Sequence, residues 1–216
     1  MNTGTSNPGK LVVLTGPSGV GKGTLLKHLL EQHPELCLSI SATTRSPRPN
    51  EVHGQHYLFI SADEFTQMRD NGELLEWAEF AGNFYGTPKR PVEAQIAQGK
   101  SVVLEIELVG ARQIRQVFPS AIQVFILPPS LEELERRLRA RGHDSEASIA
   151  RRLKRAAVEI DAASEFDIQV LNDDLNMALT KIEAALFTES ASPAVNPPTE
   201  STSPAVNASM ESLTVG

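Results

Sequence analysis

The chain has 216 residues, of which 27 are acidic and 20 are lysine or arginine, and 40% are hydrophobic. These proportions fit one globular domain and exclude both disorder throughout the chain and a collagen-like repeat. The net charge of -7 argues against a general nucleic-acid binder, so we expect any functional positive charge to be local. The single cysteine, Cys37, excludes an internal disulfide.

The two ends of the chain differ in composition from the part between them. Residues 1–9 are polar, lack the apolar stretch of a signal peptide, and are predicted to be flexible. No run of about 18 apolar residues occurs, so we expect a cytoplasmic protein without a membrane partner. Residues 188–216 are rich in Pro, Ser, Thr and Ala and contain no Lys or Arg. They predict a disordered tail, with folding on a partner as the alternative, and leave residues 10–187 as the compact domain.

Strands are predicted from short apolar, β-branched runs, and helices from amphipathic or capped segments. In chain order, the predicted elements are a strand at 11–15, a helix at 22–33, strands at 38–41 and 57–60, a helix from 61 to about 71, a strand at 74–80, a helix at 88–98, strands at 101–106 and 121–127, helices at 130–141 and 145–163, a strand at 168–171 and a helix at 175–187. Ser61 and Ser130 each precede a glutamate by three residues, which is capping-box spacing. The alternation predicts an α/β fold with a parallel sheet flanked by helices, and ligands at the carboxyl ends of its strands.

A glycine-rich segment lies between the first predicted strand and the first predicted helix. It consists of Gly16, Pro17, Ser18, Gly19, Val20, Gly21, Lys22, Gly23 and Thr24. In this context backbone N–H groups can point inward, and the lysine can reach the β- and γ-phosphates, which predicts bound ATP. The usual motif has Ser or Thr directly after the lysine as a magnesium ligand, but Gly23 stands there. We therefore expect Mg²⁺ to be held mainly by nucleotide phosphates and water.

Two further pairs of charged residues suggest phosphate chemistry. Arg45 and Arg48 lie three residues apart in a proline-containing segment, and such a pair can grip a monoester phosphate through forked hydrogen bonds. Glu105 and Glu107 come at the end of a predicted buried strand and lie on the same side of it. Glu105 is a candidate for holding Mg²⁺ through water.

Five motifs in order give the chain a resemblance to guanylate kinases over about residues 10–187. They are Gly-Pro-Ser-Gly at 16–19, Ser-x-Thr-Thr-Arg-x-Pro-Arg at 41–48, Glu-Trp-Ala at 76–78, Tyr-Gly-Thr at 85–87 and Asn-Asp-Asp-Leu at 172–175. The resemblance implies a P-loop NTPase-like core, a GMP-binding subdomain inserted at about 41–99 and a small helical lid at about 137–155. It implies phosphoryl transfer from MgATP to GMP, giving ADP and GDP in purine nucleotide metabolism. We also expect dGMP as an acceptor, because no identified contact requires the 2'-hydroxyl.

The same resemblance implies roles for individual residues. Arg45, Arg48, Tyr57 and Tyr85 would hold the acceptor phosphate, while Ser41, Glu76, Thr87 and Glu107 would read the guanine. Asn172 would contact adenine, and the catalytic set would be Lys22, Arg45, Arg137, Arg141 and Arg152. Hydroxyls and a carboxylate suit guanine, which offers an acceptor at O6 and donors at N1 and N2. Position 107 is commonly aspartate in this family, and here it is glutamate.

Two other functions stay open at this point. Domains of this kind also occur as protein-interaction modules without catalysis, typically with a degraded P-loop or without the acceptor arginines. A kinase for another nucleoside monophosphate is the nearer alternative. The basic segment 136–155 has no interleaved aromatic residues, so no nucleic-acid partner is expected, and His53 with His56 lacks a third zinc ligand. The sequence does not predict an oligomeric state.

Overall fold

The computed structural model describes residues 9–140, 142 and 145–187. Residues 1–8, Arg141 and the predicted tail at 188–216 lie outside the described residues. Within those ranges no helix is long and apolar enough to cross a membrane.

Nine strands and seven α-helices make up the described chain. In order they are β1 (Leu11–Thr15), α1 (Lys22–Gln32), β2 (Leu36–Leu38), β3 (Ala42–Thr43), β4 (Leu58–Phe59), α2 (Ala62–Asp70), β5 (Leu74–Phe80), β6 (Asn83–Pro88), α3 (Lys89–Ala97), β7 (Ser101–Glu105), α4 (Leu108–Val117), β8 (Ile122–Leu127), α5 (Leu131–Ala140), α6 (Glu146–Asp161), β9 (Ile168–Leu171) and α7 (Leu175–Phe187). A short 3-10 helix, Ala162–Glu165, follows α6.

A parallel sheet in the order β2-β7-β1-β8-β9 forms the centre of the molecule. Successive side chains of β1 point to opposite faces, so Val12 and Leu14 enter one hydrophobic core while Leu11 and Val13 enter another. Helices α1, α5, α6 and α7 cover the first face, and α3 and α4 cover the second. The predicted fold class, a parallel sheet flanked by helices, is confirmed.

A second, mixed sheet in the order β4-β3-β6-β5 lies in the region of the predicted insertion. Its strands β5 and β6 form an antiparallel hairpin whose turn is Ala81-Gly82. Both turn residues have positive φ, 51° and 74°, which matches the twist of a two-residue hairpin connection.

Helix α4 joins the two sheets. Ala111 and Ile114 bury their side chains in the core of the first sheet. On the other side of the helix, the Gln113 amide donates to the Trp77 carbonyl at 2.7 Å and accepts from the Trp77 N–H at 3.0 Å. Gln113 thus satisfies the free backbone edge of β5 as a neighbouring strand would.

Several predicted elements agree closely with the structure, and β1, β5, β9 and α7 have the predicted bounds. The capping box at Ser61 is confirmed, because Glu64 donates its N–H to the serine oxygen and accepts the Ser61 N–H. At Ser130 only the serine half forms. Its oxygen accepts the Glu133 N–H, while the Glu133 carboxylate accepts from Arg136 and Arg137 instead.

The strand predicted at 38–41 is wrong, and strands β2, β3 and β6 and helix α4 were not predicted. Strand β2 ends at Leu38 and β3 begins at Ala42, so residues 39–41 carry the chain from the first sheet to the second. Strand β6 contains Gly86 and Pro88, which disfavour strands, and it is stabilised by pairing with β3 and β5 on its two sides. Helix α4 has Gly110 in its first turn and is only ten residues long.

We expect Leu138→Ala to lower the free energy of unfolding by about 2–5 kcal/mol, because it removes fully buried methyl groups of α5. Urea unfolding followed by circular dichroism measures this loss. The matched control is Leu131→Ala on the same helix, where the side chain is 42% exposed and a change of about 0.5 kcal/mol is expected. Equal losses in the two variants would contradict the described packing of α5.

Candidate active site

The glycine-rich loop between β1 and α1 depends on close approaches that exclude side chains. At Gly16, with φ of 151°, a β-carbon would come within 2.4 Å of the Ile126 carbonyl oxygen. At Gly21, with φ of 104°, it would come within 2.5 Å of the Asn172 amide nitrogen. At Gly23 it would meet nothing within 4 Å. The first two glycines are therefore required by packing, and the third is not.

A cavity of about 410 Å³ opens over this loop and the start of α1. Its lining contains Ser18, Gly19, Gly21, Lys22, Gly23, Thr24 and Glu105. The Lys22 ammonium donates to the Gly16 carbonyl at 2.6 Å and so lies across the mouth of the loop. A glycine-rich turn, a helix N-terminus and a lysine at one cavity suit the phosphate cradle that the sequence predicts.

Two residues predicted to contact the donor hold the loop from behind. The Asn172 amide donates to the Val20 carbonyl at 2.7 Å. The Arg137 guanidinium donates to the same carbonyl at 3.2 Å and to the Asn172 carbonyl at 3.0 Å. In this arrangement both side chains support the shape of the loop. Neither side chain lines the cavity over the loop.

A second cavity, of about 230 Å³, lies between the two sheets. It brings together six residues that were predicted for the site, namely Ser41, Tyr57, Glu76, Tyr85, Glu105 and Glu107. The remaining lining residues, Ala78, Phe80, Gly86, Ile106 and Gly110, were not singled out from the sequence. Ala78 and Gly86 belong to the Glu-Trp-Ala and Tyr-Gly-Thr motifs but had no role assigned, whereas Phe80, Ile106 and Gly110 belong to no motif and are placed here by the topology.

Glu76 supplies a buried carboxyl group to the wall of this second cavity. The residue is 5% exposed, and its carboxyl group accepts a hydrogen bond from the Thr87 hydroxyl at 2.7 Å. Burial raises the pKa of Glu76 to about 7, although the Thr87 hydrogen bond acts in the opposite direction. A β-carbon at Gly110 would come within 2.3 Å of this carboxyl group, so α4 can approach it only because residue 110 is glycine.

Thr87 was predicted to read the base, and the structure places it elsewhere. It is fully buried and does not line the cavity. Its hydroxyl instead fixes one oxygen of Glu76, whose other oxygen lies nearest Gly110.

Arg45 is held by a carboxylate that the sequence analysis did not single out. Its guanidinium makes two bonds to Glu51, at 2.9 and 3.0 Å, and lies 5.5 Å from the centre of the Tyr57 ring. The Arg48 backbone N–H donates to the same carboxylate at 2.7 Å. Hydrogen bonds from Arg45, then from Arg48, hold the pKa of Glu51 at about 2, so Glu51 stays ionised beside the arginine.

A cleft of about 760 Å³ connects the two cavities. Lys22, Glu105, Glu107 and Arg152 line it together with Tyr57, and the Arg152 guanidinium lies 3.4 Å from the Ser18 hydroxyl. Other members of the lining, Ser148, Arg151, Arg155 and Glu159, come from α6 and were not assigned to the site. A run of basic residues in the sequence predicts a charged helix, but it does not say which side chains face a cleft.

The exposed Glu105 carboxylate lines both cavities and the cleft between them. The described residues contain no group of three or more His, Cys, Asp or Glu side chains arranged to hold a metal ion. One carboxylate beside a phosphate cradle nevertheless suits Mg²⁺, which prefers oxygen ligands and keeps several waters. The residues present therefore fit a magnesium ion that arrives with its nucleotide.

Comparison with known proteins agrees with this geometry. A family model described as guanylate kinase matches residues 8–189. The chain is 62% identical over 188 residues to a guanylate kinase of Thermosynechococcus vestitus, covering 87% of this chain and 98% of that protein. It is 64% identical over 187 residues to a guanylate kinase of Trichormus variabilis, covering 86% of this chain and 94% of that one.

A solved structure of similar shape is the crystal structure of guanylate kinase from Anaplasma phagocytophilum. It matches with a TM-score of 0.69 and 35% sequence identity, covering 84% of this chain and 86% of that chain. The family model, the two relatives and the solved structure all have the description guanylate kinase, the family that the sequence motifs resemble. This chain belongs to the guanylate kinase family.

Proposed function

We propose that this chain transfers a phosphoryl group from MgATP to GMP, giving ADP and GDP. The observation that carries the proposal is one cleft joining a phosphate cradle at Lys22 to a cavity walled by the buried carboxyl group of Glu76. Membership of the guanylate kinase family supports it. dGMP is proposed as a second acceptor, because no candidate contact requires a 2'-hydroxyl.

The chemistry of the acceptor cavity favours guanine over adenine. Ionised Glu76 can accept from the N1 and N2 donors of guanine, and the Ser41 hydroxyl can donate to O6. Adenine has a lone pair at N1, which would face the Glu76 carboxylate. A buried polar group that a ligand leaves unpaired costs a large factor in specificity. In this proposal Thr87 and Gly110 position Glu76, and the longer side chain of Glu107 reaches the guanine amino group.

The acceptor phosphate is proposed to bind at Arg45, Arg48, Tyr57 and Tyr85. Two donors of Arg45 are used by Glu51 and a third by the Ser46 carbonyl, which leaves at most two for phosphate oxygens. The rings of Tyr57 and Phe59 lie 5.5 and 5.7 Å from the Arg45 guanidinium and limit its motion. Arg45 is thereby held in one orientation before any ligand arrives, which lowers the entropy cost of binding.

The transfer itself requires no nucleophile from the protein. An oxygen of the acceptor phosphate attacks the γ-phosphorus of ATP, and the bond from that phosphorus to the β,γ-bridging oxygen breaks, leaving ADP. We assign Lys22 and the loop N–H groups to the donor phosphates, and Arg152 to the transferring group. Mg²⁺ bound to ATP would neutralise charge on the same phosphates, with Glu105 holding it through water. Arg137 and Arg141 remain proposed lid arginines, of which Arg141 lies outside the described residues.

The boundaries of the GMP-binding insertion and of the lid stay predictions. We propose residues 41–99, which include the second sheet, as the GMP-binding insertion, and residues 137–155 as the lid. The cytoplasmic location and the absence of a nucleic-acid partner likewise stay predictions.

Assays of GMP, dGMP, AMP, CMP and UMP with ATP separate this function from a kinase for another monophosphate. An interaction module without catalysis would consume no ATP with any of them.

Replacement of Lys22 tests the donor site. We expect Lys22→Met to lower kcat at least about 100-fold, because it removes a positive charge proposed to bind the donor phosphates. A coupled assay of ADP release measures this, with calorimetry of GMP binding as a check on folding. Lys27→Met is the control, since Lys27 lies on the same helix with 72% of its side chain exposed. Near-normal turnover of the Lys22 variant would contradict the assignment.

Replacement of Glu76 tests the acceptor cavity. We expect Glu76→Gln to raise KM for GMP by about 10- to 100-fold, the effect of losing a buried, charged hydrogen-bond acceptor. KM for ATP should stay within about twofold, because a lost acceptor contact does not change donor binding. Glu79→Gln, on the exposed side of the same strand, is the matched control and should resemble the unaltered protein. An equal rise of KM for GMP and of KM for ATP would contradict the proposed contact between Glu76 and the base.

The pKa of Glu76 also predicts a pH dependence. Because that pKa is about 7, the Glu76 carboxyl group loses its proton as the pH rises through neutrality, and both of its oxygens can then accept hydrogen bonds from guanine. The affinity for GMP should therefore increase between pH 6 and 8. The phosphate of GMP also ionises near pH 6, but it does so equally with any variant. Calorimetry at each pH should therefore show an extra increase in the unaltered protein that Glu76→Gln lacks. Identical pH curves would show that Glu76 does not titrate at the base.

A further inference from the structure

Arg155 occupies a position in the cleft to which no motif assigns a role. It lies on α6, and its guanidinium donates to the Glu107 carboxylate at 2.5 Å and to the Glu159 carboxylate at 2.7 Å. The same guanidinium lies 4.9 Å from the centre of the Phe80 ring. The Arg155 side chain thus contacts a residue of its own helix, the segment that follows β7 and the end of strand β5 in the second sheet.

The three partners of Arg155 belong to different parts of the site. Glu107 follows β7 and lines both the acceptor cavity and the connecting cleft. Phe80 is the last residue of β5, beside the hairpin turn, and it also lines both. Glu159 lies one turn further along α6, and only 12% of its side chain is exposed. This partner on the same helix fixes the direction in which Arg155 extends.

The position of Glu107 connects this contact to base recognition. Its negative charge lies close enough to Glu76 to act on that buried carboxyl group and raise its pKa. Both side chains line the same cavity of about 230 Å³. A cation that fixes Glu107 therefore limits the repulsion between the two acids and sets where the Glu107 oxygens lie. An exposed ion pair remote from a site would have neither consequence.

We propose that Arg155 is a positioning residue of the acceptor site, which holds the Glu107 carboxylate and the Phe80 ring in the geometry that binds the guanine nucleotide. This inference rests on the proposed function and adds to it a determinant of affinity supplied from α6. Arg155 bonds directly to the carboxylate on one side of the cavity and covers the aromatic side chain on the other. Its loss should therefore weaken GMP binding specifically.

The size of the expected effect follows from the exposure of the pair. The side chains of Arg155 and Glu107 are 41% and 49% exposed, and pairs of this kind contribute up to about 1 kcal/mol. That energy corresponds to about a fivefold change in a binding constant. We therefore expect Arg155→Gln to raise KM for GMP about fivefold, while kcat and KM for ATP change by less than about twofold.

Three variants separate positioning from a general effect on folding. Arg155→Lys keeps the charge without the forked geometry and should restore part of the affinity for GMP. Glu107→Gln should weaken GMP binding, and adding Arg155→Gln to it should cause little further loss, because the pair is already broken. Lys154→Gln removes one positive charge from the neighbouring, exposed position on α6 and should have no effect.

Calorimetry of GMP binding to the full chain, without ATP, distinguishes the possible failures. If the unaltered protein binds no GMP, the proposed function is wrong. If it binds GMP and Arg155→Gln binds equally well, the role of Arg155 is wrong while the function stands. Equal weakening by Lys154→Gln, or fully additive losses in the double variant, would also overturn the role. A fivefold loss confined to Arg155→Gln and shared with Glu107→Gln would support it.

Discussion

The contact between helix α4 and strand β5 is the constraint on which the acceptor cavity depends. Gln113 completes the backbone hydrogen bonding of β5 at Trp77, and Gly110 lets the helix approach Glu76 without a clash. The same helix is anchored in the central core by Ala111 and Ile114. The wall that carries Glu76 is therefore packed against the sheet whose strand β1 leads to Lys22, so one helix holds the two proposed substrate sites together.

Sequence patterns predicted the elements that follow local rules. The apolar runs of β1 and β9 and the capping box at Ser61 act within a few residues, and each appears where it was expected. Helix α4 and strand β6 were missed because partners distant in the chain stabilise them, as the pairing of β6 with β3 illustrates. A local pattern contains no record of such partners.

The same division applies to the site. Glu76, Tyr57 and Tyr85, to which the family resemblance assigns roles, line one cavity, but Thr87 does not line it and supports Glu76. Asn172 and Arg137 were expected at the nucleotide, yet both bind the Val20 carbonyl. When loop N–H groups turn inward the carbonyls turn outward, and buried carbonyls need donors. Motif spacing identifies these residues without indicating which side of the loop they face.

The arginines in and near the cleft show how an acidic chain can present local positive charge. Arg45 and Arg155 each have a carboxylate partner, Glu51 and Glu107, so these cations are oriented and partly neutralised. A phosphate that approaches Arg45 meets an arginine that is already desolvated and aligned. The net charge of the whole chain is therefore a poor guide to the potential inside its cleft.

Gly23 differs from the other glycines of the loop in the space around it. A β-carbon there meets no neighbour within 4 Å, so a serine or threonine would fit without displacing any other group. The lack of a hydroxyl directly after Lys22 is therefore not imposed by the space around residue 23. A single substitution could introduce it without redesign of the surrounding residues.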